Sequence, residues 1–451
     1  MTAARVNRGA LLGGASTRVL VAAVAVLALW GSVLWAYLAP PPTANESRAI
    51  SGPSSLRLVV SAGQSSPAGG KFNRFDVQTQ PIVAPVNARG HVAFYASVMR
   101  SKTTEGIFLA TEQGLFKLAG VGDTVSGAGV LSEFAGHPVP ALNDLDGVAF
   151  GAAVARASAT EGVFLASGGR LTTIALSGND APGIPNGTFA EFDSPTIDNW
   201  NDVAFVATVR RGRETLQALY LYAGGKLRKL VAEGDRLPPP QRGAFEKFGV
   251  PAINNKGVIA FPAVLDHAAV LGGIFLAGSR DLRLLLAAGA LTQRGDMLVQ
   301  FSEHVAINDD DNVALSAHVR SGATIKESVL LVTPEGVAEV ASVGDSAPGG
   351  GTFSAFGPWP GLGPGKMVAF VAGVEDGPGP IGLYALRSNG LGPVAMVGQP
   401  LPDGKVLPNF VINPVVSAAS NGALTFATMA EPASGQPNSI YYFGPSPAAA
   451  N

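Results

Sequence analysis

The chain has 451 residues and a formal charge of −2, with 57 glycines, 33 prolines and only 14% charged residues. Glycine and proline at that level, in a chain so poor in charge, exclude a mainly helical protein and favour many short strands joined by turns. The absence of cysteine excludes disulfides, thiol nucleophiles, cysteine-ligated zinc and an acylated-cysteine anchor.

Residues 1–18 form a basic N-terminus with Arg5, Arg8 and Arg18 and no acid. Beyond residue 45 the chain holds 28 basic and 33 acidic residues, net −5, too weak an imbalance to draw nucleic acid. Val19–Ala39 is an uncharged run of 21 residues, and roughly 20 helical residues cross a hydrocarbon core. A cleaved signal peptide is the alternative, but its apolar core is usually shorter, and Pro40-Pro41-Pro42 should obstruct cleavage. The three arginines favour a cytoplasmic N-terminus, and Trp30, Trp35 and Tyr37 suit the far interface. The expectation is a single-pass signal anchor over 19–39, a Pro/Ser-rich linker over 40–55, and the remainder outside the cell membrane, in the periplasm or at the cell surface.

From residue 87 onward one segment recurs. Asn87–Phe94 reads NARGHVAF, Asn143–Phe150 reads NDLDGVAF and Asn254–Phe261 reads NNKGVIAF; weaker copies are Asn199–Phe205, Asn308–Leu315, Gly363–Phe370 and Ala419–Phe426. The copies end at residues 94, 150, 205, 261, 315, 370 and 426, a period of 54 to 56 residues. Such a period marks a repeat architecture.

Each unit holds four strand-like runs. The first leads into the asparagine; the others are exemplified by Val92–Val98, Ile107–Ala110 and Phe116–Ala119. Runs without in–out alternation imply strands covered on both faces, as in the stacked blades of a propeller. After Ile440–Phe443 the fourth run is missing, while Leu56–Val60 precedes the first unit and matches Leu227–Val231. The expected fold is all-β: a seven-bladed β-propeller of four-stranded blades over 56–444, its ring closed by the N-terminal strand, with 445–451 a disordered tail. The Gly/Pro-rich segments Gly178–Phe192, Gly234–Phe248 and Gly344–Phe356 read as long loops. Their paired phenylalanines, such as Phe189 and Phe192, are expected to plug the gaps between blades.

The N-x-x-G-x-x-A-F segment of Asn87–Phe94, Asn143–Phe150 and Asn254–Phe261, repeated behind an N-terminal anchor, resembles the bacterial choice-of-anchor tandem repeat proteins. The resemblance covers roughly Leu56 to Phe443 and implies an exported or surface-exposed repeat protein. It brings no catalytic residues.

The motif asparagines and Gly90, Gly147 and Gly257 suit tight turns, and Asp123, Asp235 and Asp345 suit turn caps at the head of the long loops. Asp309-Asp310-Asp311 reads as a solvated hairpin tip. None of the five histidines has metal-ligand spacing, so no metal or cofactor is expected. No nucleophile elbow or phosphate loop appears either, so no catalytic residue is assigned. The loops after the second strands are basic in several units: Arg100 and Lys102, Arg156, Arg210 with Arg211 and Arg213, and Arg320, followed by Lys326. Lys102 and these arginines are the candidate binding residues. They point to a monomeric binding or scaffold module for an envelope polymer or protein. The alternative is an extracytoplasmic hydrolase or lyase with its active site at the propeller channel.

Overall fold

The repeated motif turns a strand back on itself seven times, and the strands so formed gather into seven antiparallel sheets. The computed structural model describes residues 55–444, apart from 77–80, 156, 280, 402–404, 412 and 431–436. The expected span over 19–39, the linker as far as residue 54 and the tail from 445 lie outside the described residues. Among the residues described, no helix is long and apolar enough to cross a membrane.

Each sheet is one blade of a seven-bladed β-propeller. In the third blade the strands are Gly187–Phe192, Val203–Arg211, Glu214–Ala223 and Lys226–Ala232, with Thr196–Ile197 continuing the innermost strand along Val203 and Ala204. In the seventh sheet Ser55–Ser61 pairs antiparallel with Ser439–Gly444.

The paired phenylalanines belong to strands, which corrects the reading of Gly178–Phe192 and its relatives as loops throughout. Phe189 and Phe192 lie on the innermost strand, hydrogen-bonded to Val203–Arg211, with a register shift between Phe189 and Glu191. That bulge inserts one residue, so two side chains three apart share a face that strict alternation would deny them. The same shift recurs at Phe72/Arg74, Phe245/Lys247 and Phe353/Ala355.

Packing follows from this placement. Phe189 meets Tyr220 edge-on with ring centroids 5.0 Å apart, and Phe245 meets Phe275 at 4.9 Å. The described core falls into seven apolar clusters, each drawing residues from two neighbouring blades; one unites Ala149, Val163 and Leu165 with Phe189, Phe192 and Tyr220. Burying one such ring contributes about 1.5–3 kcal/mol, and the phenylalanines do fill gaps between blades alongside the aliphatic side chains of the same clusters.

The turn-cap reading of the acids also holds. Asp123, Asp235 and Asp345 accept the backbone N–H of Gly120, Ala232 and Ser342, and Gln399 does the same for Met396. Lysines pair with two of these caps, Lys117 with Asp123 at 2.7 Å and Lys229 with Asp235 at 2.9 Å.

Candidate functional site

Two places in this fold gather polar side chains from several blades: the turn face, where the motif asparagines sit, and the bend of the innermost strands.

At the turns, each motif asparagine makes two kinds of bond. Asn143 Oδ1 accepts the N–H groups of Leu145 (3.0 Å) and Gly147 (2.7 Å) in its own turn, while Nδ2 donates to the carbonyl of Asp198 in the next blade (2.8 Å). Asn87, Asn254 and Asn308 donate in the same way to the carbonyls of Asn143, Asn308 and Gly363. The following residue repeats the pattern one step out: Ala88 N–H reaches Asp144 Oδ1, Asp144 N–H reaches Asn199, Asn199 N–H reaches Asn255 and Asn255 N–H reaches Asp309. Asp309 and Asp311 are therefore bonded to the fourth blade's turn, the latter by Asn254 Nδ2 at 2.8 Å; Asp309 and Asp310 are exposed, as the solvated-tip reading expects, and Asp311 is partly covered.

The third copy of the motif shifts by one residue against the sequence reading. Asp198, not Asn199, occupies the asparagine position, accepting the N–H groups of Trp200 and Asp202 at 2.9 Å each. Gly147 is also used differently from expectation. The left-handed residue of its turn is Asp146, with φ 64°. Gly147 is needed because a Cβ there would lie 2.4 Å from Asn201 Oδ1.

The second gathering lines the propeller axis. Prolines such as Pro195 and Pro251 interrupt the innermost strands, since proline donates nothing to a ladder. At these bends the third strand of one blade reaches the next. Glu105, Glu161, Gln217 and Glu327 accept the N–H groups of Phe134, Phe192, Phe248 and Phe356, and Asn438 accepts that of Phe75. Glu161 does a second job, holding His137 Nε2 at 3.0 Å while that ring packs against Gly151, where a Cβ would come within 2.8 Å of it.

Asp193 stands at the bend between them. Solvent reaches it, yet enclosing protein raises its carboxyl above the ordinary value; the His137 charge opposes the rise, while Glu303, Glu191 and Glu161 add to it. On the fifth blade's bend, His304 packs its ring on Trp359, centroids 3.3 Å apart, and burial pushes its pKa down to about 3, so the imidazole is neutral at ordinary pH. Sequence reasoning singled out neither Asp193 nor Glu303 nor Trp359; the one local signal was the polar residue between the second phenylalanine and the bend proline. A carboxyl raised in this way, with the His137–Glu161 pair within electrostatic reach, can bind hydroxyl-rich ligands or pass a proton. Among the described residues no group of three or more His, Asp or Glu is arranged to hold a metal ion.

The basic residues singled out from the sequence sit at the opposite ends of the second strands from the asparagine turns. Arg100, with φ 57°, Lys102, Arg210, Arg213 and Arg320 are exposed and form no ion pair among the described residues. Arg211 pairs with Glu214 across its own hairpin at 3.2 Å. Arg156 lies outside the described residues. Lys326 turns inward to Asp296, at 3.1 Å, and does not join the exposed set. Among the described residues, no ion pair links these cations from blade to blade.

The fold and these inter-blade bonds define a seven-bladed β-propeller whose blades are joined by side chains at both the turns and the axial bends. The chain belongs to DUF7453, a family of unknown function, whose model matches residues 38–271 and 266–441. No curated protein matches it in sequence. Among solved structures it is similar to an oligogalacturonate lyase in complex with manganese, at 10% identity over 87% of this chain and 97% of the lyase, TM-score 0.45. It is also similar to polysaccharide lyase Uly1, at 11% identity over 85% and 95% of the two chains, TM-score 0.45. The six-bladed fungal Aleuria aurantia lectin is matched at 10% identity over 74% and 98%, TM-score 0.34. Likeness at this level concerns the course of the strands alone.

The double role of Glu161 yields a test. Glu161→Gln keeps an acceptor for Phe192 N–H, as Gln217 does naturally one blade on, and should cost under about 1 kcal/mol. Glu161→Ala leaves that buried N–H unpaired and should cost about 2–3 kcal/mol. Equal denaturant midpoints for the two variants would remove the inter-blade bond from the account.

Proposed function

We propose that this protein is an extracytoplasmic binding module, held to the membrane by residues 19–39, whose partner is an acidic envelope polymer or protein. The observation that carries this reading is the state of the cations. Arg100, Lys102, Arg210, Arg213 and Arg320 stand exposed, without an ion pair among the described residues, at the hairpins after the second strands of three blades, whereas Arg89, Lys117, Lys229, Arg294, Lys326 and Lys366 pair with carboxylates. Exposed cations without a pair occur elsewhere too, as at Arg170, Lys226 and Lys256, so the shared hairpin position is what sets the five apart. The resemblance to exported tandem-repeat proteins supports the same location. So does the strand direction: Ser55–Ser61 starts on the asparagine-turn face, so the linker meets that face and the cationic turns point away from the membrane. The charge-neutralising variant Arg100→Ser/Arg210→Ser/Arg213→Ser/Arg320→Ser should lose about tenfold or more in binding to envelope fractions at low salt. The difference should shrink as ionic strength rises and the Debye length falls to about 8 Å. An unchanged isotherm and salt response would end the proposal.

We also propose that Ser55–Ser61 closes the ring. It supplies the outer strand of the seventh blade, and Val60 is fully buried in the cluster shared with the first blade. A protein lacking residues 55–61 would expose that apolar surface and an unpaired edge, and should melt well below the parent. Equal melting temperatures would contradict closure.

A second reading, hydrolytic or lytic chemistry in the channel, is favoured by Asp193 beside the His137–Glu161 pair. If it holds, Asp193→Asn abolishes turnover of an envelope polysaccharide while leaving the melting temperature within a few degrees. Turnover that survives in Asp193→Asn excludes this carboxyl as the acid.

A further inference from the structure

Asp198 is an anomaly in an otherwise regular set of joints. At the same position of four other blades stands Asn87, Asn143, Asn254 or Asn308, whose Nδ2 donates to the backbone oxygen one blade on. Asp198 does the asparagine's first job, accepting two turn N–H groups through Oδ1. Its Oδ2 is buried and has no hydrogen-bond partner, and the residue as a whole is 2% exposed. By the repeat, the place of that oxygen is the one from which four asparagines donate to the first turn carbonyl of the next blade, which here is that of Asn254. Two buried acceptors facing each other repel, and each forfeits its hydration.

We propose that Asp198 is held as a neutral carboxylic acid, its Oδ2–H donating to Asn254 C=O, so that the joint between the third and fourth blades is a proton-dependent clasp. Protonated aspartic acid has the donor and acceptor pattern of asparagine and about its size, so a proton on Oδ2 restores the bond the other blades make. The charged groups around the clasp do not oppose this. Asp202 lies on its own turn and Asp144 and Asp146 on the second blade's turn. Lys256 is on the exposed tip of the fourth blade's turn, and Arg228 acts on Asp202. Burial raises the Asp198 carboxyl above its ordinary value and the Asp202 charge adds to the rise, while the N–H groups of Asp202 and Trp200 that bond the carboxyl work against it without cancelling it.

The sign of the linkage follows. The folded state holds this proton more tightly than the unfolded chain, so the clasp's contribution is fully present below the unfolded value of about 3.8 and is lost as pH rises through the elevated folded value. In the intact protein Asp198→Asn supplies the donor without a proton. Its melting temperature should match the parent near pH 4 and exceed it by about 2–4 °C at pH 8. Infrared spectra should show a protonated-carboxyl band in the parent above pH 5 that persists in Asp193→Asn and Asp202→Asn and is missing in Asp198→Asn. A gain that is equal at both pH values, or no gain, overturns the clasp. So does a parent spectrum without the band above pH 5, a measurement that stands even if the asparagine variant fails to fold.

Discussion

A single buried side chain answering to two blades is the constraint on which this propeller turns. An asparagine amide has one acceptor and one donor end. Here the acceptor ties up the N–H groups of its own turn and the donor reaches the neighbour's backbone, as Asn143 does for Leu145, Gly147 and Asp198. The apolar clusters supply more energy than these bonds, because several rings at about 1.5–3 kcal/mol outweigh one hydrogen bond near 1 kcal/mol. Apolar contact is not directional, however. The amide sets the height and rotation at which one blade meets the next, and the phenylalanines then fill the space so defined.

The interfaces are joined at their axial bends in two ways. Five use a side chain from the third strand: Glu105, Glu161, Gln217, Glu327 and Asn438 each reach a phenylalanine N–H on the next blade. At the other two the corresponding residues are Gly272 and Ile381, which offer no acceptor. Those two interfaces are the ones where innermost strands meet backbone to backbone, by the parallel bridges Val250 to His304 and Trp359 to Val415. Glycine permits the approach: a Cβ on Gly249 would lie 2.5 Å from Glu303 O, and one on Gly357 would lie 2.6 Å from Pro414 O.

Blade number, period and the covered second strands were legible in the sequence, because seven copies of one apolar run repeat a local signal. The innermost strands were legible only in part. Phe189 and Phe192 are three apart, a spacing that reads as irregular until a bulge accounts for it. The third motif was misplaced by one residue because Asp198 took the asparagine's position, leaving Asn199 as the nearest match. The axial residues were not legible at all. Asp193, Glu303 and Trp359 belong to different blades, and the partners of each, Glu303 for Asp193 and His304 for Trp359, are set by how blades meet, not by any local pattern. The exposed arginines were found as exposed; the ion pairs that separate Arg211 and Lys326 from the rest needed coordinates.

The two kinds of axial joint also bear on how blades can be exchanged. A blade that offers a third-strand acceptor on one side and a phenylalanine N–H on the other is a self-contained unit, and a copy of it inserted between two like blades would find both partners ready. The fourth and fifth blades are not interchangeable in that sense, nor are the sixth and seventh. Each pair depends on a glycine in one member and a matching extended segment in the other, so either pair would have to be duplicated, lost or grafted as a single piece.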